Sequence, residues 1–226
     1  RITMVDGVPT GLIWDGTEML AIEAPPGGGS ASIFRLEDTY VEPGAMCCGA
    51  SAQETSLAAA YATVAHELET VVANAAGAVD EIKIGLVADY ELTNRMGAKV
   101  EVQLLARMNI VDGIFSEQLG VQLTVEVSDA FSSPSDPFTA TGPIDLLNEL
   151  ADYREATPSQ YQRGLTHMFT GRTLDGRTVG IAYTGVLCLR RAGVGLSEGN
   201  RGATTDSLIA AHEIGHNFGA EHDGEA

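Results

Sequence analysis

The sequence predicts an α/β domain standing behind a β-rich N-terminal segment. From residue 81 onward, apolar strand-like runs alternate with helical patterns, which is how a layered sheet with packed helices reads. Before residue 50, short apolar runs are broken by Asp-Gly and Pro-Gly signals, as in successive hairpins. Between the two lies a stretch whose apolar residues recur at alternating steps of four and three.

The N-terminal runs are ITMV, GLIW, MLAIEA and SASIFRL, separated by Asp6-Gly7, Asp15-Gly16 and the Pro25-Pro26-Gly27-Gly28-Gly29 break. Residues 51–77 predict an amphipathic helix. Ser51 and Glu54 have capping-box spacing, Leu57, Tyr61, Val64, Leu68, Val71 and Ala75 form its apolar stripe, and Gly77 stops it. EIKIGLVADY (81–90) then predicts a buried strand, residues 93–118 a long helix, and VQLTVEV (121–127) a second strand. SSPSDPFTATGP (132–143) reads as a proline-rich loop and IDLLNELADYRE (144–155) as a helix. GLTHMFTG (164–171) and RTVGIAYTGVLCL (177–189) read as strands, RAGVGLSEGNRG (191–202) as a glycine-rich loop, and residues 204–218 as the last helix. The boundaries that follow are a β-rich segment at 1–50, a helical connector at 51–80 and an α/β domain at 81–226.

Composition excludes several classes. Thirteen basic against 31 acidic residues give a net charge of −18, and only Lys83 and Lys99 are lysines, so no basic stripe is offered to nucleic acid. Apolar content of 44% supports a packed core, and no run approaches the length of a membrane span. Residue 1 opens into RITMVDG without a signal-peptide pattern, so any such leader is expected outside this sequence. High acidity with little lysine suits a secreted or a salt-tolerant protein.

Residues 212–223, HEIGHNFGAEHD, carry the chemistry. His212 and His216 are four apart on the predicted helix and project from one face, close enough to share a metal ion. Gly219 can end the helix and turn the chain so that His222 completes three neutral imidazoles. Three nitrogen ligands leave one tetrahedral position open, the catalytic form of a zinc site, and such zinc acidifies a water molecule. Glu213 stands where it can take the water proton as general base and later pass it to a leaving amine. By contrast His66-Glu67 lacks a second histidine at Thr70, and His167 sits alone in a strand; both read as structural residues.

HEIGHNFGAEHD resembles the zinc signature of the metzincin metallopeptidases, and the aspartate after the third histidine resembles the adamalysin/reprolysin branch. EIKIGLVAD and GRTVGIAYTGVLC extend the likeness upstream, over about residues 81–226. The resemblance implies a mixed, mostly parallel twisted sheet with one antiparallel edge strand and an active-site helix. It places Gly180, Ile181 and Ala182 on that edge strand, where a peptide substrate would add as an antiparallel strand. It makes Asp223 a carboxylate buttressing the site from behind the ligands. A calcium ion is also compatible with the family, and no residues are assigned to it.

GAMCCG (44–49) resembles the cysteine-switch segment of metzincin propeptides, and residues 11–24 and 31–38 resemble strands of the same kind of prodomain. Cys48 fits its Cys-Gly part and Cys47 its Met-Cys part. A thiolate on zinc would exclude water, making the chain's own propeptide its inhibitor. Pairing of Cys47 or Cys48 with each other or with Cys188 is the structural alternative.

None of the six methionines follows His222, so the methionine turn of the family lies outside residues 1–226. Residues 1–226 alone are therefore expected to hold zinc less rigidly, with cleavage itself at risk. The function expected is a zinc endopeptidase made as a latent, secreted zymogen. The competing class, a non-catalytic adhesion module on the same scaffold, would be favoured by an altered glutamate, and Glu213 is intact.

Overall fold

Asp6 and Gly7 fold the first hairpin. Both have positive φ (54° and 78°), and they join β1 (Ile2–Val5) to β2 (Val8–Trp14) with Val5 opposite Val8. A two-residue turn of this hand matches the twist of paired strands. β3 (Met19–Glu23) and β4 (Ser32–Arg35) complete an antiparallel sheet in the order β1-β2-β3-β4. The structure is a computed structural model that describes residues 1–15, 17–25, 29–39, 47–48 and 80–222. The helix expected at 51–77 lies outside them.

The second sheet has six strands in the order β5-β9-β10-β8-β6-β7. These are β5 (Cys47–Cys48), β6 (Asp80–Ala88), β7 (Val121–Ala130), β8 (Leu165–Thr170), β9 (Thr178–Ala182) and β10 (Val194–Glu198). All pairs are parallel except β9 with β10. The sheet is mixed and mostly parallel, as predicted, but the reversed strand β9 is not the edge strand expected: β5 pairs along its outer side. β8 and β10 are buried along their whole length, as central strands covered on both faces must be.

Among the described residues five helices cover the sheet: α1 (Tyr90–Met96), α2 (Val100–Leu119), α3 (Pro143–Ala156), α4 (Pro158–Tyr161) and α5 (Ala203–Asn217). Leu104, Met108 and Phe115 of α2 pack with Ile214 of α5 on Ile84 and Leu86. Leu146, Leu147 and Leu150 of α3 pack with Val87, Met168, Ile181 and Leu196 in a second core. The alternation of Leu86 and Val87 between the two cores reflects the two faces of one strand. A smaller cluster of Leu12, Ala21 and Ile110 joins the N-terminal sheet to α2, reinforced by an Arg1–Asp112 ion pair at 2.9 Å.

Three further expectations need correction. The helix drawn over 93–118 is broken: α1 ends at Gly97 (φ 61°), a short 3-10 turn follows, and α2 begins at Val100. The preceding strand stops at Ala88 because Asp89 caps α1, accepting from the Leu92 and Gly171 amides at 2.9 Å each. The strand drawn over 177–189 ends at Ala182. Gly185 (φ 67°) turns the chain, and the Gly185 and Val186 amides donate to the His216 and Asn217 carbonyls of α5 instead of extending the ladder. Finally, the glycine-rich stretch 191–202 contains β10, a central strand whose glycines concealed its apolar run.

Candidate metal centre

The site is built on α5 and the turn that follows it. Gly202 precedes α5 without a capping side chain of its own. Glu23, at the end of β3 in the other sheet, supplies one: its carboxylate accepts from the Ala203 and Thr204 amides at 2.6 and 3.0 Å. An anion at this end satisfies unpaired N–H groups and the helix dipole together. One turn on, Asp206 accepts from Nε and Nη2 of Arg107 at 3.0 and 2.9 Å, a buried pair tying α5 to α2. At the other end, Gly185 and Val186 take up last-turn carbonyls, and the Asn217 amide donates to the Tyr183 and Val194 carbonyls at 2.9 Å each. α5 is thus fixed at both ends.

The helix stops where the sequence predicts. Gly219 has φ 100°, its amide donates to the His216 carbonyl at 2.8 Å, and the chain doubles back to His222. The Nε2 atoms of His212, His216 and His222 then converge: His212–His216 and His216–His222 are 3.1 Å apart, and His212–His222 is 3.2 Å. These three residues form the metal-competent group found among the described residues.

The donor set fits zinc. Tetrahedral zinc with nitrogens at about 2.0–2.1 Å sets them about 3.3–3.4 Å apart, close to the spacing here. Nδ1 of His216 lies 2.7 Å from the Ala220 carbonyl, which can only accept. Nδ1 therefore carries the proton and Nε2 presents its lone pair, the tautomer a ligand needs. His212 is pushed down to about pKa 4, first by burial and then by repulsion from His216 and His222. It is held neutral at physiological pH, again the ligand form.

Glu213 is 1% exposed, and its Oε2 has no hydrogen-bond partner among the described residues. Burial pushes its carboxyl up to about pKa 8. Desolvation thus disfavours the charged form of a carboxyl next in sequence to a metal-competent imidazole.

The remaining expected residues fall in two groups. Gly180, Ile181 and Ala182 lie on β9, paired with Ser197, Leu196 and Gly195 of β10. Along the other side of β9 runs β5, in parallel, with Cys47 opposite Thr178 and Cys48 opposite Gly180. The backbone therefore brings the cysteine pair to the strand expected to receive substrate. Asp223 and the cysteine sulfurs lie outside what the structure describes. His167 is buried in β8, with Nε2 at 3.0 Å from Ser197 Oγ and Nδ1 unpartnered among the described residues. The expected structural histidine is thus only half satisfied.

The sequence reading missed Glu23, Arg107 and Asp206. The lone signal for a distant cap was negative: a glycine, not a capping residue, stands before α5. Nothing local marks which of 31 acidic residues fills that place.

Residues 102–223 match the metallopeptidase family M12B reprolysin-like model. Snake venom metalloproteinase H5 of Deinagkistrodon acutus is 26% identical over 147 residues, covering 63% of this chain and 36% of the relative. The disintegrin and metalloproteinase domain-containing protein adm-2 of Caenorhabditis elegans is 24% identical over 146 residues, covering 63% and 15%. Zinc metalloproteinase-disintegrin-like atrase-A of Naja atra is 34% identical over 77 residues, covering 34% and 13%. The chain thus spans little more than a third of the length of these relatives at most.

Proposed function

The chain belongs to the M12B reprolysin-like metallopeptidase family, and from that premise we propose that it is the zinc-binding part of an endopeptidase. The convergence of three imidazole nitrogens within 3.2 Å, beside a buried glutamate, carries this reading. His212, His216 and His222 would hold the metal. Zinc, when bound, would supply a Lewis acid that polarises the scissile carbonyl and acidifies water.

The chain's own residues do the rest. Glu213 would accept the proton of the attacking water and return it to the departing amine, which requires a carboxyl that can hold a proton near neutral pH. The burial that pushes its pKa up favours that protonated form. Ala220, by accepting from His216 Nδ1, would fix the imidazole's tautomer and orientation. β9 would receive the substrate backbone as an added strand.

The N-terminal sheet and β5 are read as propeptide, and the enzyme as a latent, secreted zymogen. The course of β5 along β9 supports this, since that edge is the one a substrate would need. The thiol of Cys48 or Cys47 would be the inhibitory group. Among the described residues no helix is long and apolar enough to cross a membrane.

The test is cleavage of a casein-type protein by the full-length protein after propeptide removal. Activity should disappear with a chelator and return with zinc, and Glu213→Gln should retain zinc without cleaving. Full hydrolysis by purified Glu213→Gln would refute the assignment of Glu213.

A further inference from the structure

We propose that Gly180 is a positioning residue for Glu213, its missing side chain being the slot in which the glutamate carboxylate lies. The inference deepens the endopeptidase reading and rests on it for the catalytic consequence, though not for the packing. Gly180 sits inside β9, a strand buried from Val179 to Ala182. Its φ is not among the positive values that would demand glycine. Glycine inside a strand weakens it and commonly marks a close approach by another group. Here that group is identified: a Cβ on Gly180 would lie 2.6 Å from Oε1 of Glu213, 2.8 Å from its Cγ and 3.0 Å from its Cδ. All three are shorter than ordinary contacts, and all three belong to one side chain.

Glu213 has little room to yield. It is 1% exposed and lies on α5 between His212 and His216. The helix itself is anchored by Glu23 at its start, Arg107 on its flank and the Gly185 and Val186 amides at its end. A methyl group at position 180 must therefore push the carboxylate rather than the helix. The imidazole nitrogens need not move, so metal affinity should survive. A displacement of about 1 Å in a catalytic group costs on the order of a hundred-fold in rate.

The test is a cycle of Gly180→Ala, Glu213→Ala and the double variant in the full-length, zinc-loaded protein. With Glu213 present, Gly180→Ala should lower Tm. With alanine at 213, the same change should leave Tm unchanged or raise it, because alanine is the better strand residue once the collision is gone. Should Gly180→Ala fail to fold, the proposal requires that the double variant fold. The folded Gly180→Ala protein should bind one zinc per chain and lose at least about ten-fold in kcat, with KM within about two-fold. An equal Tm change in both backgrounds would overturn the proposal, as would an unchanged kcat. A raised KM at wild-type kcat would also overturn it, making Gly180 a substrate contact. If Glu213→Gln hydrolyses like wild type while the Tm coupling holds, the endopeptidase reading fails and the packing does not.

Discussion

Replacing Glu213 by glutamine should stabilise the metal-free protein, and the gain should grow with pH inside a defined window. Glu213 is buried with one oxygen unpartnered, and its pKa rises from 4.5 to about 8. Between those values the folded chain keeps a proton that the unfolded chain has released. Stability falls with rising pH wherever the folded state binds more protons. The penalty is therefore absent below about pH 4.5, builds through the window and is complete above about pH 8. At about 1.4 kcal/mol per pH unit, that separation corresponds to about 5 kcal/mol, an upper bound that water entry and side-chain relaxation will reduce. Glutamine has the same shape and cannot ionise, so its variant lacks this slope. Urea melts of both proteins in chelator, from pH 5 to pH 9, measure the difference directly. It should be small at pH 5 and exceed about 2 kcal/mol at pH 9. A difference equal at both ends would mean that the carboxylate is not desolvated, and the account of Glu213 would fail.

Other consequences are open to simpler measurements. His216→Ala removes the nitrogen whose tautomer is set by Ala220, and should weaken zinc binding by more than about 100-fold in competition with a chromophoric chelator; unchanged affinity would remove His216 from the site. Glu23→Ala strips both hydrogen bonds from the start of α5 and should cost about 1–2 kcal/mol in a urea melt, whereas an unchanged midpoint would mean that water caps the helix equally well. Burial lowers His167 to about pKa 3 from 6.5, so its contribution to stability is present above pH 6.5 and is lost as pH falls toward 3. His167→Gln, which cannot take up that proton, should flatten the acid limb of the stability curve between those values, and equal slopes would contradict the burial argument.

How much of this was legible differs from residue to residue, for physical reasons. His212, His216, Gly219 and His222 were readable because helical periodicity and a glycine-permitted turn are local properties. The positive φ of Gly219 and the convergence of the three nitrogens follow from twelve consecutive residues. The Asp6-Gly7 hairpin was readable on the same ground. β10 was not, since its strand identity comes from pairing on both sides with β8 and β9 rather than from alternation in VGLSE. The break at Gly97 was likewise lost inside a periodicity that continues across it.

Local chain order carries the chemical kind of the candidate centre: three imidazoles, one carboxyl and a reversed chain, all within a single helix and turn. How that helix is held, and what surrounds its glutamate, depends on packing between distant elements. Glu23 reaches α5 from 180 positions away, Arg107 from 99, and Gly180 leaves room for Glu213 from a neighbouring strand. Such contacts join residues distant along the chain, and their energies depend on excluding water between packed elements. No local pattern carries that information, because burial and the pKa it sets belong to the assembled fold.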